Sequence, residues 1–314
     1  MAMITVRTCA LFTLAGLFTF CSFAYADRNG GSDSAATRMP SHLRVGYTID
    51  KFSDVDVNDA KAAVKVWMDM IVKRRGAATK TELLTYQDLL SLEKAIRDKK
   101  IDLVFLYPEE YLEIKNRIPF EPVAISTPLN DLVKRFSVLV RKDRGIQEVR
   151  GLRGRGILVE RSENSGLLNL WFETLLMREG ALSARDFFLN VRETNKTSQA
   201  VLPVFFGQAD ACVVSHGAFG IMTELNPQLS QEIGAIALSA GYIRGVVCMS
   251  TSFHEKYGGL VEEILSIHAE AQGKQILTLI KVNKMVPFES SYLETVEALL
   301  REHRALKLKL AKNR

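Results

Sequence analysis

Short apolar segments alternate with amphipathic helical segments along most of this chain, and this alternation restricts its fold more than any other feature. In the first part of the sequence, three predicted strands alternate with three predicted helices, at residues 42–48, 58–75, 82–86, 88–99, 101–107 and 108–114. The strand at 101–107 is almost entirely apolar, as is typical where helices cover both faces of a sheet. This order predicts a parallel α/β sheet, because parallel neighbours need a crossover connection.

A predicted strand at residues 136–141 leads into a second α/β series. Its further strands and helices follow at residues 156–160, 167–178, 187–191, 197–206, 209–215, 216–225, 233–238 and 246–250, and the chain from residue 253 is predicted to be helical. Two α/β sets and a helical return predict two lobes, one of them built from both ends of the chain. We expect lobe I to contain residues 42–140 and 239–314, and lobe II to be the inserted segment 141–238.

The N-terminus has the features of a secretory signal peptide. Arg7 precedes a short apolar run at residues 10–20, and residues 24–26 read A-Y-A, a small-residue cleavage pattern. A membrane anchor and a lipoprotein are the alternatives, but the apolar run is shorter than the roughly 20 residues of a spanning helix. We expect a signal peptide at residues 1–26, cleavage after Ala26, a flexible leader at residues 27–41 and a periplasmic mature protein.

Charge and cysteine content restrict the class of protein further. The formal net charge is +5, and loss of Arg7 with the signal peptide leaves 5 − 1 = +4, spread along the chain. This mild excess predicts no nucleic-acid partner. Cys212 and Cys248 remain, each inside an apolar run. An oxidising compartment would allow a disulfide, but the apolar surroundings favour buried free thiols.

Polar residues stand where predicted strands of lobe II lead into helices. The N–H groups of a helix's first turn lack internal partners and carry partial positive charge, so such junctions can bind an anion. Ordinary N-capping with nothing bound is the alternative for each junction alone. Three of them in one lobe favour a ligand site, because ligands of open α/β sheets bind beyond the carboxyl ends of the strands. The residues concerned are Ser162, Asn164 and Ser165, then Thr197 and Ser198, and finally Ser215 with His216.

Two tyrosines follow predicted strands of lobe I. Tyr47 comes near the end of the strand at 42–48, and Tyr107 ends the strand at 101–107 and precedes Pro108. Tyrosine hydroxyls at strand ends are suited to the floor of a ligand cleft. The alternative is partial burial of each ring with its hydroxyl in water.

Enzyme signatures are weak in this sequence. The five histidines show no metal-ligand spacing, and the sequence has neither a G-x-S-x-G elbow nor a Walker loop. The glycine-rich segment at residues 151–156 precedes a strand and lacks dinucleotide-binding spacing. We therefore predict no catalytic residue, no metal site and no cofactor.

Several segments, taken in order, resemble those of the phosphonate/phosphate-type binding proteins of ABC importers. Residues 101–111 (IDLVFLYPEEY) resemble an apolar family segment that ends in Pro-x-x-Tyr, and residues 137–156 resemble the family's crossing strand and the turn after it. Residues 162–166 (SENSG) resemble the ligand loop, and residues 197–211 resemble a helix start that leads to a Gly-x-x-Asp-Ala motif. The similarity covers about residues 43–250 and depends on the order and spacing of these motifs.

The resemblance implies an α/β fold of the type 2 periplasmic-binding-protein class. Each of two lobes would be a mostly parallel sheet flanked by helices, and two crossing strands would join them. By resemblance, Ser162, Asn164 and Ser165 hold an anionic group, and the cleft also contains Tyr47, Tyr107, Thr197, Ser198, Gln199 and Asp210. Gln199 stands where phosphonate binders place a histidine, and it can donate only a neutral hydrogen bond.

We therefore expect a secreted solute-binding protein, not an enzyme, that captures a small anionic ligand by hinge closure. The resemblance implies an ABC permease and its ATPase in the inner membrane as partners, and a monomeric protein. A periplasmic sensor that signals to a membrane receptor is the alternative function. An enzyme built on the same fold is a third hypothesis, and it would require an acid/base group in the cleft.

Overall fold

The structure, a computed structural model, describes residues 40–48, 57–74, 80–128, 132–161 and 165–312. The predicted signal peptide, its cleavage after Ala26 and nearly all of the predicted leader lie outside these residues. Among the helices that the structure describes, none is long and apolar enough to cross a membrane.

Strands and helices alternate through the described residues, and most of them coincide with predicted elements. The strands are β1 (His42–Thr48), β2 (Lys80–Tyr86), β3 (Leu103–Leu106), β4 (Phe120–Ser126), β5 (Phe136–Arg141), β6 (Gly156–Glu160), β7 (Asn190–Thr194), β8 (Ala211–Ser215), β9 (Ile233–Leu238), β10 (Gly245–Ser250) and β11 (Met285–Pro287). The helices are α1 (Val57–Arg74), α2 (Leu89–Arg97), α3 (Pro108–Ile114), α4 (Ser165–Arg178), α5 (Ala184–Phe187), α6 (Thr197–Phe205), α7 (His216–Leu225), α8 (Pro227–Glu232), α9 (Thr251–Tyr257), α10 (Leu260–Ser266), α11 (Ala271–Leu279) and α12 (Glu294–Lys312).

The first sheet has six strands in the order β2-β1-β3-β10-β4-β11. β1 pairs in parallel with β2 and β3, whereas β10 runs antiparallel to both β3 and β4. The second sheet has the order β7-β6-β8-β5-β9, with β6 parallel to β7 and β8, and β5 antiparallel to β8 and β9. Both sheets are therefore mixed, and the late strand β10 completes the middle of the first sheet.

The α/β class is confirmed, but one strand was not predicted and two local predictions were wrong. β4 was not predicted, because Pro122 interrupts its pattern; the pairing of β4 with β10 shifts register at this proline, where Cys248 faces Pro122. β11 lies in a region predicted to be mostly helical. The strand predicted at residues 187–191 is found at Asn190–Thr194, because the apolar side chains of Phe187 and Phe188 enter the core before the strand begins.

Both connections between the sheets join the same kind of edge. β4 leads to β5 through residues 127–135, and β9 leads to β10 through residues 239–244. Ser126 pairs with Gly245, while Phe136 pairs with Ser215, so both connections run between the carboxyl-terminal edges of the parallel strands. Since six residues span at most about 20 Å, these two edges must lie near each other.

The two connections are hydrogen-bonded to each other. The N–H of Lys134 donates to the carbonyl of Tyr242 at 2.7 Å, and the N–H of Tyr242 donates back at 2.9 Å. Closer to the second sheet, the N–H of Phe136 donates to Ser239 Oγ at 2.8 Å, and the N–H of Ser239 donates to the Phe136 carbonyl at 2.8 Å. The crossing segments therefore form a short two-stranded connection between the sheets.

The C-terminal helix α12 packs on the second sheet's core. Val296 and Leu299 belong to the same apolar cluster as Phe136 and Trp171. Thr295 Oγ1, beside them, donates to the carbonyl of Gly241 in a crossing segment at 2.8 Å. Residues 239–314 were predicted to lie in lobe I. The apolar face of α12 packs against α4, in the same apolar cluster as the strands of the second sheet.

The lobe boundaries predicted from the sequence remain a prediction. The boundary after residue 140 cuts through β5, yet every residue of β5 from Phe136 to Arg141 pairs within the second sheet. Cys212 and Cys248 are free and fully buried, in the second and first sheet respectively, which confirms the expectation of buried thiols. Burial raises the pKa of both thiols, so they stay protonated.

The packing of α12 predicts a large effect for one leucine and a small one for another. Leu299 is 5% exposed, so Leu299→Ala should lower the free energy of unfolding by about 2–4 kcal/mol because it leaves a cavity. Leu308, on the same helix, is 65% exposed, and Leu308→Ala should change it by less than about 0.5 kcal/mol. Urea denaturation measures both variants, and equal effects would contradict the packing described here.

The ion pair between α4 and α12 predicts a stability contribution that acid removes. Arg178 Nε and Nη2 donate to Glu302 at 2.7 and 2.8 Å, and these hydrogen bonds lower the pKa of Glu302. Because the folded pKa is the lower one, the contribution is complete above the ordinary value of 4.5 and is lost as pH falls through the folded value.

Glu302→Gln should therefore lower the urea midpoint at about pH 6, and its difference from the wild type should shrink as the pH falls from about 4.5 to 3. Urea titrations at several pH values measure this difference. A difference that stays constant over that range would show that the carboxylate contributes no charge-dependent stability.

Candidate functional site

The carboxyl-terminal edge of the first sheet contains a cavity of about 90 Å³. Tyr47 and Tyr107, both predicted from the sequence, line it together with Ser126, Arg244 and Trp67. The strand ends of β1, β3, β4 and β10 form one side of the cavity, and α1, α11 and β11 form the other. The structure thus brings the two predicted tyrosines together, and it adds three residues that the sequence did not single out.

Local sequence places both tyrosines at this edge. β3 ends at Leu106, and Pro108 occupies the first turn of α3, which holds Tyr107 between strand and helix. The carboxylate of Glu110 accepts the N–H of Tyr107 at 2.7 Å and so caps the helix. Tyr47 is only 1% exposed, and burial raises the pKa of its hydroxyl, which therefore stays protonated.

Arg244 gives this edge a positive charge. It lies in the second crossing segment, directly before β10, and its Nη2 donates to the carbonyl of Ile280 at 3.0 Å. Sequence reasoning missed Arg244 because its approach to the strand ends depends on β10 inserting between β3 and β4. Its position one residue before a glycine-led apolar strand was the available signal.

A buried carboxylate organises the matching edge of the second sheet. Glu160 ends β6 and is 8% exposed. Its Oε1 accepts from Thr197 Oγ1 at 2.9 Å, and its Oε2 accepts from the N–H of Ser215 at 2.9 Å. Glu160 therefore connects the three strand-to-helix junctions that were predicted from the sequence. It was missed, although an acidic residue that ends an otherwise apolar strand is a visible signal.

The predicted residues at the start of α6 have different surroundings. The hydroxyl of Thr197 is already donated to Glu160. Ser198 is partly buried and Gln199 is exposed, and the N–H of Gln199 donates to the carbonyl of Lys196 at 3.0 Å. All three stand at the carboxyl-terminal edge of the second sheet, where the prediction placed them.

The beginning of α4 lies next to the carboxylate of Glu109, which belongs to α3 beside the first sheet. Ser162 and Asn164 lie outside the described residues, and Ser165 is described only as the first residue of α4, without its side chain. A Cβ atom built on the next residue, Gly166, would lie 2.6 Å from Glu109 Oε1 of α3. The carboxylate of Glu109 therefore contacts the first turn of α4, where helix polarity favours negative charge.

Asp210 lies at the other end of the second sheet. It precedes β8, and its Oδ2 accepts the N–H of Gly156 at 2.9 Å, at the start of β6. Arg155 Nη1 lies 3.5 Å from Asp210 Oδ1. The length of the five-residue strand β8, roughly 16 Å, separates Asp210 from Ser215, so the structure does not bring it together with Thr197.

His216 begins α7 beside the Glu160 group. Its N–H donates to the carbonyl of Arg135 in the first crossing segment at 2.9 Å. Its Nδ1 is buried and has no hydrogen-bond partner among the described residues. Over those same residues, no group of three or more histidine, cysteine, aspartate or glutamate side chains is placed to hold a metal ion.

The Glu160 group predicts a test of this edge. A glutamine at position 160 offers one acceptor oxygen instead of two, so Glu160→Gln should lower the free energy of unfolding by about 1–3 kcal/mol. Glu193, on neighbouring β7, is exposed and only 3.6 Å from Arg161, so Glu193→Gln should have almost no effect. Chemical denaturation compares the two, and a neutral Glu160→Gln would contradict the two buried hydrogen bonds.

In comparisons with known proteins, this chain is similar to binding proteins. A family model described as "ABC transporter, phosphonate, periplasmic substrate-binding protein" matches residues 52–293. No curated protein sequence matches the chain significantly. XAC2383 from Xanthomonas citri bound to chloride has a TM-score of 0.60 at 17% identity, over 85% of this chain and 99% of that one. XAC2383 bound to ATP has a TM-score of 0.59 at 15% identity, over 85% of this chain and 98% of that one.

Phosphonate-binding proteins have the same fold. PhnD1 from Prochlorococcus marinus, in complex with methylphosphonate, has a TM-score of 0.56 at 16% identity, over 85% of this chain and 99% of that one. The binding protein of an ABC phosphonate transporter from Pseudomonas aeruginosa has a TM-score of 0.54 at 12% identity, over 88% of this chain and 96% of that one. At these identities the likeness concerns the fold, and it confirms the predicted type 2 periplasmic-binding class.

Proposed function

Because the chain belongs to the family of periplasmic substrate-binding proteins of phosphonate ABC transporters, we propose that it captures a small organic oxyanion by closure of its two lobes. The bound ligand would then pass to a membrane permease driven by an ATPase. The observation that carries the proposal is the convergence of Tyr47, Tyr107 and Arg244 at the sheet edge from which both crossing segments leave.

The position of these residues supports a ligand site. Ligands of open α/β sheets bind beyond the carboxyl ends of the strands, and both sheets present that edge to the crossing segments. Arg244 supplies a planar, permanently charged donor group, which is well suited to phosphonate or sulfonate oxygens. Tyr47, Tyr107 and Ser126 add hydroxyl groups beside it.

The facing edge would contribute the predicted polar residues. Ser162, Asn164 and Ser165 are proposed to bind the ligand's oxygens with N–H and hydroxyl donors, and Ser198 and Gln199 of α6 are proposed to border them. We leave Asp210 out, because it contacts the amino end of β6.

Two carboxylates restrict the charge of the ligand. Glu109 contacts the first turn of α4, and buried Glu160 lies at the end of β6. Both would repel a dianion, since like charges in a poorly hydrated site destabilise each other. A singly charged head group, such as a sulfonate or a monoprotonated phosphonate, therefore fits this edge better than a doubly charged phosphate.

Lobe closure would occur about the crossing segments. A ligand favours the closed form only through contacts that the open form cannot make. Arg244 lies within one crossing segment, and the carbonyl of Arg135 in the other accepts the N–H of His216. A ligand that contacts Arg244 and the start of α4 would bridge both sides of the hinge.

The remaining features of the proposal follow from the family. The protein would bind its ligand without converting it, and it would act as a monomer in the periplasm after cleavage behind Ala26. The alternative of a signalling sensor is supported by no observation in the structure or the comparisons. ATP, which was solved with XAC2383, is a second candidate anion that the test below includes.

Ligand capture predicts thermal stabilisation by oxyanions. Methylphosphonate, an alkylsulfonate, inorganic phosphate and ATP should be compared with a neutral sugar, by differential scanning fluorimetry and then by calorimetric titration. We expect the singly charged organic anions to raise Tm most. If none of the anions raises Tm more than the sugar does, the proposal is wrong.

Arg244→Met should weaken binding of the best anion at least tenfold, because a hydrogen bond to a charged group contributes roughly 1.5–3 kcal/mol. The matched control is Arg150→Met, since Arg150 is exposed and pairs only with Glu148 in a surface turn among the interactions described. The control should bind like the wild type, and an equal loss in both variants would contradict a specific role for Arg244.

A further inference from the structure

The cavity beside Tyr47 and Tyr107 is smaller than most small-molecule sites. Its volume is about 90 Å³, whereas small-molecule sites usually measure roughly 300–1,000 Å³. One water needs roughly 10–15 Å³ of such a volume, so the cavity has room for several water-sized groups. It can therefore hold one substituent of a ligand whose head group stays at the sheet edge.

The lining of the cavity is mainly apolar. Val64 of α1, Ile276 of α11, and Val282 and Met285 near β11 are all buried and border it. The part of the cavity that these side chains border offers water few hydrogen-bond partners. An apolar group that entered from the ligand would gain burial without displacing well-bound water.

The charge of the lining excludes a cationic substituent. Among the described residues that border the cavity, Arg244 carries the only charge, and no acidic side chain is present. An ammonium group here would be buried without a carboxylate and beside a guanidinium, which is unfavourable. The substituent must therefore be neutral.

Trp67 adds a polar requirement inside the cavity. Its side chain is 4% exposed and borders the cavity, and its ring packs against Phe105 with centroids 5.5 Å apart. Its indole Nε1 is buried and has no acceptor among the described residues. A buried donor without an acceptor is unfavourable, so an acceptor atom on the substituent would remove that penalty.

We infer that this cavity is a side-chain subsite which selects oxyanions bearing a short, neutral, apolar substituent with a hydrogen-bond acceptor that reaches Trp67. The inference rests on the proposed function, because Arg244, which also borders the cavity, holds the anionic head. The subsite determines which members of the anion class bind well.

The first test is a chain-length series. Calorimetric titration with methyl-, ethyl-, propyl- and butylphosphonate should show affinity that rises about fourfold per methylene until the cavity is full. 2-Aminoethylphosphonate, similar in length to propylphosphonate but cationic at its end, should bind at least tenfold more weakly than propylphosphonate. Binding that does not depend on chain length, or a preference for the amine, would overturn the inference.

The second test concerns the indole N–H. 2-Methoxyethylphosphonate matches butylphosphonate in length but replaces one methylene by an ether oxygen. The wild type should bind the ether about tenfold more tightly, and Trp67→Phe should abolish this preference. A preference that survives in Trp67→Phe, or that is absent from the wild type, would contradict the proposed contact.

A cavity-filling variant completes the set and does not depend on Trp67. Val282→Leu adds a methylene to the lining and should reduce the ratio of butylphosphonate to methylphosphonate affinity at least fourfold. Val261→Leu enlarges a valine that packs on the same apolar cluster outside the cavity lining, and it should leave this ratio unchanged. An unchanged ratio in Val282→Leu would show that the substituent binds elsewhere.

Failure of anion capture and failure of the subsite give different binding results. If no phosphonate of any chain length binds, anion capture itself is wrong, and the subsite loses its basis. If methylphosphonate binds as tightly as butylphosphonate, anion capture stands and the subsite is refuted.

Discussion

The two crossing segments and the hydrogen bonds between them determine how the rest of the molecule is arranged. Lys134 and Tyr242 exchange backbone hydrogen bonds. One step closer to the second sheet, the N–H of Phe136 donates to Ser239 Oγ, and the N–H of Ser239 donates to the carbonyl of Phe136. Because both segments connect carboxyl-terminal strand edges, the polar residues that follow the parallel strands of either sheet lie towards the same region. The hydrogen-bonded crossing segments are therefore sufficient to bring the polar strand ends of both sheets towards one ligand site.

The electrostatics of that region are unequal on its two sides. The first sheet's edge has Arg244 with tyrosine hydroxyls, whereas the second has buried Glu160 and is contacted by Glu109. The carboxylate of Glu160 accepts hydrogen bonds from the Thr197 hydroxyl and the Ser215 N–H. Its role is therefore to hold the strand-to-helix junctions in place rather than to contact a ligand. The permanent positive charge of Arg244 and the carboxylates on the opposite side are together the basis for proposing a ligand of low negative charge.

Much of the architecture could be predicted, because each element carries its own pattern. The apolar run before Tyr107, the proline that starts α3 and the glycine-led strand β10 all gave correct elements. β4 was missed because Pro122 is accommodated only by a register shift against β10, a partner more than a hundred residues away. The packing of α12 was also unpredictable, since Val296 and Leu299 form an ordinary apolar face that does not identify its neighbour.

The candidate site shows the same division between local and long-range information. The sequence by itself determined the α/β class, the tyrosines at strand ends, and the polar helix starts at Thr197 and His216, because these depend on local periodicity and capping. Only the tertiary structure decided that Arg244 and Trp67 join the tyrosines around one cavity, and that Asp210 lies at the opposite sheet edge. Strand order and direction set those distances, and they arise from pairing between segments far apart in the chain.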